Sequence, residues 1–376
     1  MRFVFASDSF KGTLTSKRTA QLLTEAAHAV FPECETVSLT VADGGEGTAD
    51  AVIAACGGEK IYVDVHDPLM NPIRTYYGRT DHNTAIIEMA LASGLVLVPL
   101  KKRNPLVTTS FGTGELVRHA IKAGNRKIVI AIGGSATNDG GMGFAAALGV
   151  SFTDKDGNEL GGRGADLEKV VDIDMTGVMP EINDVSFTVM CDVNNPLCGE
   201  NGATFTYGRQ KGADDNALKR LEAGMQHYRD IIRSKFQTDP DAIPGAGAAG
   251  GLGAALKIFF DAKMQSGIET VIDMTGFDEV IRDADLIVTG EGCLDFQSLN
   301  GKVVQGIGKR ALKQGIPAVA LCGCTGEGYE QIFDHGISKV WTTMPEGMEL
   351  SKAMQRAEEL YLQRAIQMFE HLKGNA

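Results

Sequence analysis

The sequence predicts an α/β protein in which a parallel-sheet domain is interrupted by an inserted domain of mixed α/β structure. Short apolar runs followed by glycine-rich loops and helical patterns occur near both ends of the chain, whereas strand-like runs joined by short polar connections fill its middle. At 376 residues the chain is also long for one hydrophobic core. We therefore expect an outer domain of residues 1–65 and 283–376 and an inserted domain of residues 66–282.

The first part of the chain contains two strand–loop–helix units. Residues 3–6 form an apolar run, and Thr15 or Ser16 can cap the helical pattern that follows it. A second unit of the same kind spans residues 37–55. Two such units in succession imply a parallel sheet with right-handed crossovers.

The pattern changes after Gly58 and returns near the end of the chain. Residues 61–65, 73–77 and 85–89 are strand-like and are joined by short polar connections, which predicts antiparallel pairing. From Asp285 onward, apolar runs and helical patterns alternate again. This return is the main reason to expect an insertion rather than two consecutive domains.

Charge and composition exclude several classes of protein. The net charge of −12 argues against nucleic-acid binding, because no basic stripe is present to neutralise phosphates. No apolar run reaches the ~20 residues that a membrane helix needs, and the apolar run within residues 1–10 is too short for a secretory signal. The seven cysteines are scattered, which indicates reduced thiols. We therefore expect a cytoplasmic protein with no nucleic-acid or membrane partner.

Residues 285–303 carry the main candidate site. A buried-strand pattern at residues 286–288 is followed by two carboxylates, Glu291 and Asp295, and by a glycine–lysine pair that ends at Lys302 and opens a helical pattern. Ligands bind at the carboxyl ends of strands in open α/β sheets. A helix start also favours an anion, because its backbone N–H groups and its dipole point at the ligand.

This stretch is not a Walker phosphate-binding loop. Phe296 stands where that motif requires glycine, and Val303 stands where it requires serine or threonine. A phosphate bound here would therefore need a different loop geometry.

A second glycine-rich loop, residues 133–141, lies between a predicted strand and an apolar helical pattern. Its glycines, its hydroxyl and amide side chains and its aspartate suit the binding of an oxyanion. Further along, a predicted strand at residues 185–190 delivers Asp192, an acidic residue that packing explains poorly. We expect one shared cleft to be lined by the loops at Asp8, Asp43, Asp295, Gly133 and Asp192.

The segment Gly245 to Gly250 matches the dinucleotide-binding pattern GxGxxG, but only Pro240 and Pro244, and no predicted strand, precede it. We interpret it as a helix start packed closely against a neighbouring segment. The motif is the basis of a competing hypothesis, an NAD-dependent dehydrogenase. A non-catalytic binding protein of two α/β domains is a further alternative, which the carboxylates and lysines at several strand ends disfavour.

These loops together resemble the bacterial type I glycerate kinase family, and the resemblance runs over essentially the whole chain. The matching stretches are residues 8–12, 42–48, 109–114, 133–141, 191–197, 210–212 and 244–252, together with Gly290, Glu291, Gly292, Asp295, Gln297, Gly301 and Lys302. The resemblance implies a flavodoxin-like outer domain with an inserted α/β domain. It also implies transfer of the γ-phosphoryl group of MgATP to a hydroxyl of D-glycerate, with the 2-hydroxyl favoured over the 3-hydroxyl. A kinase of a related small hydroxy acid is the alternative within this class.

Three positions depart from the family pattern. Ser7 and Arg209 stand where relatives usually have proline, and Cys293 stands where they usually have arginine. The last change removes a positive charge from the loop after Gly290. Activity or substrate choice would differ if that arginine contacts phosphate or the glycerate carboxylate.

Phosphoryl transfer requires alignment, charge neutralisation and an acceptor for the hydroxyl proton. We expect Lys11 and Lys302 to hold the glycerate carboxylate or the transferred phosphoryl group. Either Asp192 or Asp295 is expected to accept the proton, and the sequence does not distinguish them. The predicted substrate-binding residues are Asp8, Ser9, Glu291 and Lys302.

The cofactors implied by the resemblance are ATP and Mg²⁺. The residues predicted to bind the ATP phosphates are Gly44, Gly45, Gly47, Gly133, Gly134, Ser135 and Thr137. Asp43 and Asp139 are the predicted Mg²⁺ ligands, because this ion is shared between phosphate oxygens and one or two carboxylates in such sites. The alternative for both aspartates is a helix N-terminal cap.

Overall fold

The computed structural model of the protein describes residues 1–10, 12–41, 47–80, 83–299 and 301–374. The chain divides into two compact units: the first comprises Met1–Asp43, Ala54–Cys56 and Ser266–Ala376, and the second Gly44–Ile53 and Gly57–Gln265. The α/β fold class is confirmed, with a parallel sheet in the first unit and a mixed sheet in the second. The boundaries expected from sequence, near residues 65 and 282, stay a prediction about independently folding domains.

The sheet of the first unit is entirely parallel over the described part of the chain. Its five strands are, in spatial order, Glu35–Ser38, Arg2–Ser7, Leu286–Gly290, Ala318–Cys322 and Ile337–Thr342. Numbered along the chain within this sheet, the order is 2-1-3-4-5, which is that of flavodoxin. The second unit is inserted between the second and third of these strands.

Successive side chains of the central strands point to opposite faces of this sheet and are buried on both. Phe3 and Phe5 point to a core that includes Phe369 from the last helix, whereas Val4 and Ala6 point to a core that includes Ile307. Both cores are apolar because helices cover both faces of a parallel sheet. The helices of this unit are Ser16–Val30, Gly267–Thr275, Phe277–Val280, Val303–Gln314, Leu350–Gln355 and Ala357–Gly374, with 3₁₀ turns at Phe296–Leu299 and Tyr329–His335.

The first long helix begins where the sequence predicts it. The side chain of Thr15 accepts a hydrogen bond from the backbone N–H of Arg18 (3.1 Å), which satisfies a donor left unpaired at a helix start. The helical pattern at the end of the chain forms two helices, Leu350–Gln355 and Ala357–Gly374. The helix Thr48–Cys56 is divided between the two units.

The second unit contains a mixed sheet of six strands within its described residues. In spatial order these are Lys263–Gln265, Ser186–Met190, Lys127–Ala131, Thr84–Glu88, Pro72–Thr80 and Gly58–His66. The first four are parallel, and the last two form an antiparallel extension, as the short polar connections predict. A separate antiparallel pair consists of Ser151–Thr153 and Asp172–Asp174.

Helices pack on this sheet around one large apolar core. They are Ala90–Ser93, Phe111–Lys122, Met142–Ala147, Ala203–Tyr207, Asp215–Phe236 and Ala248–Phe260, with 3₁₀ turns at Leu95–Leu97, Leu100–Lys102, Gly164–Lys169, Pro180–Asp184 and Pro240–Ala242. Among the described residues, every helix is too short or too polar to span a bilayer.

The GxGxxG segment has a packing role, as interpreted from the sequence. A 3₁₀ turn, Pro240–Ala242, precedes it in place of a strand. Gly250 has φ of +71°, and a Cβ atom added there would lie 2.1 Å from the backbone oxygen of Thr137. Only glycine fits this close approach of two backbones.

Candidate functional site

The first unit contains a cavity of ≈ 480 Å³ at the carboxyl ends of its parallel strands. Its charged lining residues come from the segments that follow two adjacent strands, Arg2–Ser7 and Leu286–Gly290. The chain reverses its direction of progress across the sheet between these two strands, and ligands of open α/β sheets bind at such a switch point. The polar and thiol residues that line the cavity include Asp8, Ser9, Glu291, Cys293, Asp295, Lys302 and Cys324.

Backbone hydrogen bonds hold the two segments side by side. Ser7 pairs with Gly290 in the parallel register, and the N–H of Asp8 donates to the carbonyl of Gly290 (2.8 Å). The N–H of Ser9 donates in turn to the carboxylate of Asp8 (2.6 Å). The predicted substrate residues Asp8 and Ser9 are thereby brought to the same cavity as Glu291.

Glu291 is a buried acid of this cavity. Its side chain is only 8% exposed, its Oε2 atom lies 3.9 Å from Nζ of Lys302, and its Oε1 atom is buried without a hydrogen-bond partner among the described residues. Burial raises the pKa of Glu291 to about 7. Ser298 and Lys302 act to lower this pKa, while the nearby carboxylates of Asp8 and Asp295 raise it further.

Asp295 and Lys302 enter the cavity from the chain that follows Glu291. The N–H of Asp295 donates to Oγ of Ser298 (3.2 Å), and the N–H of Ser298 donates to the carbonyl of Asp295 (3.0 Å). Lys302 is the N-cap residue of the helix Val303–Gln314 and is preceded by Gly301 with φ of +81°. The cation therefore lies at a helix start, as the sequence predicts.

The second unit places a different set of predicted residues at one edge of its sheet. Glu88 is the last residue of one strand, and the loop after Ala131 and Asp192 follow two neighbouring parallel strands. In the sheet, Glu88 pairs with Ala131, and Ala131 pairs with Met190. Within the loop, Gly133 and Gly134 are exposed. The exposed start of the loop is thus the part available to a ligand.

The carboxylate of Asp139 is held by hydrogen bonds from the surrounding protein. It is fully buried and accepts hydrogen bonds from the N–H and Oγ–H of Ser110 (2.7 Å each), the N–H of Gly141 (3.1 Å) and the N–H of Gly143 (3.3 Å). Burial raises the pKa of Asp139, and these hydrogen bonds oppose that shift. The contacts favour the capping interpretation of Asp139 over the metal-binding one.

Lys211 is a residue that sequence reasoning left without a role. Its Nζ donates to Oγ of Ser135 (2.9 Å) and to the carbonyl of Thr137 (2.7 Å), and it is almost fully buried. Burial lowers the pKa of Lys211 to about 7, against the opposing effect of Asp139. Its position between two glycines was the available signal, but the sequence could not show that it reaches the glycine-rich loop.

Glu88 was also not predicted, although it contacts the backbone at Gly47 and Ala49, next to the predicted phosphate-binding residues Gly44 and Gly45 in the sequence. Its carboxylate accepts hydrogen bonds from the N–H groups of Gly47 (3.0 Å) and Ala49 (3.2 Å). An acid in this position stabilises the start of the helix Thr48–Cys56. The N–H of Gly47, predicted to meet phosphate, is therefore bound to Glu88.

The structure therefore sorts the predicted residues into two groups. The cavity of the first unit brings together Asp8, Ser9, Glu291, Asp295 and Lys302. The second unit contains Gly47, Gly133, Gly134, Ser135, Thr137, Asp139 and Asp192. Lys11, Asp43, Gly44 and Gly45 lie outside the described residues.

A preformed metal centre is absent from the parts of the chain that the structure describes, where no three His, Cys, Asp or Glu side chains are arranged to hold an ion. Such a centre is not required for MgATP, because Mg²⁺ keeps several waters and is held by phosphates and one or two carboxylates.

Comparisons with known proteins agree on one family. A family profile described as the glycerate kinase family matches residues 3–373. Glycerate kinase of Halalkalibacterium halodurans is 43% identical over 363 residues, covering 96% of each chain. Glycerate 2-kinase of Escherichia coli K12 is 43% identical over 358 residues, covering 95% of this chain and 94% of its own.

A solved structure extends the likeness to the fold. A crystal structure described as that of a glycerate kinase 2 from Salmonella typhimurium LT2 superimposes with a TM-score of 0.89 at 38% identity, covering 100% of this chain and 99% of the other. Sequence and structure comparisons therefore confirm the resemblance inferred from the loop motifs.

Proposed function

Because this chain belongs to the glycerate kinase family, we propose that it transfers the γ-phosphoryl group of ATP to the 2-hydroxyl of D-glycerate. The observation that carries this proposal is the cavity at the switch point of the parallel sheet, where a cation, a serine and three carboxylates converge. A small polyhydroxy acid needs this combination: a positive group for its carboxylate and acceptors for its hydroxyls.

The cation assigned to glycerate is Lys302. It lies beside Glu291 at the start of a helix, where the helix dipole adds to its attraction for an anion. Ser9 supplies a hydroxyl at the same cavity. Lys302 would therefore hold the glycerate carboxylate or the transferred phosphoryl group, and Ser9 would orient the substrate.

Glu291 joins Asp192 and Asp295 as a candidate for accepting the hydroxyl proton. A general base works best when its pKa lies near the operating pH, and burial raises the pKa of Glu291 to about 7. Its Oε1 atom, buried without a partner among the described residues, has hydrogen-bonding capacity for a substrate hydroxyl. Glu291 is the candidate that we favour, with Asp295 second because it lines the same cavity.

The ATP phosphates are assigned to the start of the glycine-rich loop, where Gly133 and Gly134 are exposed and Ser135 lies buried next to them. Lys211 supports this assignment, because its ammonium group touches the hydroxyl of Ser135 from below the surface of the loop. Mg²⁺ would arrive with ATP and neutralise the phosphate charge. Phosphoryl transfer requires donor and acceptor to meet, so turnover requires ATP and D-glycerate to be bound at the same time.

The proposal is tested by ATP-dependent turnover of D-glycerate. We expect release of ADP only when ATP, Mg²⁺ and D-glycerate are all present, and no reduction of NAD⁺ by D-glycerate. Lactate, which lacks the 3-hydroxyl, serves as the comparison for a broader hydroxy-acid kinase. Absence of ADP release with D-glycerate, or NAD⁺ reduction, would refute the proposal.

A further inference from the structure

We infer that Cys293 and Cys324 form a reversible disulfide at the wall of the substrate cavity, which makes this pair a redox modification site. The inference rests on the proposed function only for its effect on turnover. The site itself is argued from the register of two short strands and from the lining of one cavity.

The two cysteines are directly paired residues of neighbouring strands. Cys293–Leu294 and Cys324–Thr325 form a two-stranded parallel ladder in which Cys293 is the partner of Cys324. In-register neighbours of a parallel pair point to the same face, with Cα atoms about 4.8 Å apart. A disulfide requires Cα atoms about 4.4–6.8 Å apart, so the bond needs no large movement of the backbone.

Backbone hydrogen bonds fix this register on both sides of the pair. The N–H of Cys324 donates to the carbonyl of Gly292 (3.1 Å), and the N–H of Gly326 donates to the carbonyl of Leu294 (2.8 Å). A Cβ atom added to Gly323 would lie 2.2 Å from the carbonyl oxygen of Gly292. The two segments are therefore already in close contact before any bond forms.

The pair is accessible and lies where a modification would matter. Cys293 is exposed and Cys324 is half-buried, and both line the cavity that contains Glu291 and Lys302. By contrast, Cys34, Cys198 and Cys322 are buried. Oxidation would tie the segment that carries Glu291 and Asp295 to its neighbour, so the acids of the cavity could no longer adjust to a substrate.

The chemistry is thiol–disulfide exchange with a low-molecular-weight disulfide such as oxidised glutathione. The thiolate of one cysteine attacks the reagent, breaks its S–S bond and releases one reagent thiol. The thiolate of the second cysteine then attacks the mixed disulfide and releases the second reagent thiol. The protein loses two protons and two electrons, and the reagent gains both.

The rate of this exchange depends on how readily the thiol of Cys293 ionises. Burial, the neighbouring Cys324 thiol and the carboxylates of Asp295 and Glu291 raise the pKa of Cys293 to about 12. Because the thiolate is the reacting form, we expect exchange to be slow at neutral pH. The pair would therefore respond to sustained oxidation rather than to brief exposure.

The test is incubation of the full chain with oxidised glutathione, followed by peptide mass spectrometry and thiol titration. We expect a cross-linked peptide pair containing Cys293 and Cys324, a loss of two of the seven thiols, and full reversal by dithiothreitol. Cys56→Ser is the matched control, because Cys56 is part-buried and its thiol donates to the carbonyl of Met274. This variant should form the same cross-link, whereas Cys293→Ser and Cys324→Ser should not.

Two results would overturn the inference. The first is the absence of a Cys293–Cys324 cross-link under conditions that oxidise control dithiols. The second is a cross-link that leaves glycerate-dependent ATP turnover unchanged, since a constrained cavity should lower turnover at least about tenfold. The mass readout does not depend on activity, so failure of the proposed function and failure of this inference are distinguishable.

Discussion

The carboxylate of Glu291 lies 3.9 Å from the ammonium group of Lys302, and both groups face one cavity at the carboxyl ends of the parallel strands. Burial makes this acid reluctant to ionise, while the lysine favours its ionised form. The balance places the pKa of Glu291 at about 7. Glu291 can therefore exchange a proton near neutral pH.

Replacing Glu291 with glutamine should lower kcat by about 10²–10⁴-fold, since a positioned base contributes that much. In the wild type, kcat/KM should rise with pH through about 7, because only the ionised acid accepts a proton. The variant should lose this rise. Glu330→Gln, at an exposed position outside the cavity, is the control. If the Glu291 variant turned over substrate at the wild-type rate, another group would be the base that accepts the hydroxyl proton. Asp192→Asn and Asp295→Asn would then show which group it is.

The raised pKa of Glu291 should also make the free energy of unfolding depend on pH. The pKa of Glu291 is raised from 4.5 to about 7 in the folded state, so its protonated form stabilises the fold. This contribution is full below pH 4.5 and is lost as the pH rises through about 7. Relative to wild type, Glu291→Gln should therefore gain up to about 3 kcal/mol of unfolding free energy between pH 5 and pH 8. Urea unfolding at the two pH values measures this, and a constant difference would contradict the pKa assignment.

Lys302→Met should raise KM for D-glycerate or lower kcat, with a combined loss in kcat/KM of about 10-fold or more. It should also raise the pKa of Glu291 further, because a nearby positive charge is removed. Lys313→Met, an exposed change in the last turn of the same helix, is the matched control. Steady-state kinetics across pH separates the two effects. Unchanged kinetics in both variants would exclude Lys302 from the site.

Asp139→Asn should destabilise the fold rather than remove a metal. The two carboxylate oxygens accept four hydrogen bonds, and the amide nitrogen that replaces one oxygen in asparagine cannot accept any. We expect a loss of about 1–3 kcal/mol in unfolding free energy, measured by urea denaturation against Asp156→Asn at an exposed turn. Unchanged stability combined with a lower affinity for Mg²⁺ in the presence of ATP would restore the metal-binding interpretation.

Ser135→Ala should weaken ATP binding, because Ser135 directly follows the exposed residues Gly133 and Gly134 and its hydroxyl is held in place by Lys211. Thr137→Ala should have a smaller effect, since the Thr137 side chain is fully buried. Nucleotide titration compares the two variants directly. Equal ATP affinity in wild type and Ser135→Ala would count against this loop.

The sequence was most informative where a strand ends in a glycine-rich loop. The cavity beside Asp8, Glu291 and Lys302 was predictable from that pattern, because parallel strands end at a common edge. The sequence was also sufficient to interpret Gly250 as a packing residue, because no strand precedes the GxGxxG segment that contains it.

The sequence could not show which polar groups form hydrogen bonds with one another. Lys211 lies 76 residues from Ser135, and Glu88 lies 41 residues from Gly47, yet each pair is hydrogen-bonded. The same limit explains Asp139, whose neighbours in space come partly from the segment at Ser110. The charge and type of each residue are known from the sequence, but its burial and its hydrogen-bond partners depend on tertiary contacts.

The most direct test of the account is ³¹P NMR of the product formed from ATP and D-glycerate by the purified chain. The account predicts a single phosphomonoester on the 2-hydroxyl, formed in step with ADP. A product phosphorylated on the 3-hydroxyl would contradict the proposed regiochemistry, and the absence of any phosphorylated glycerate would contradict the account as a whole.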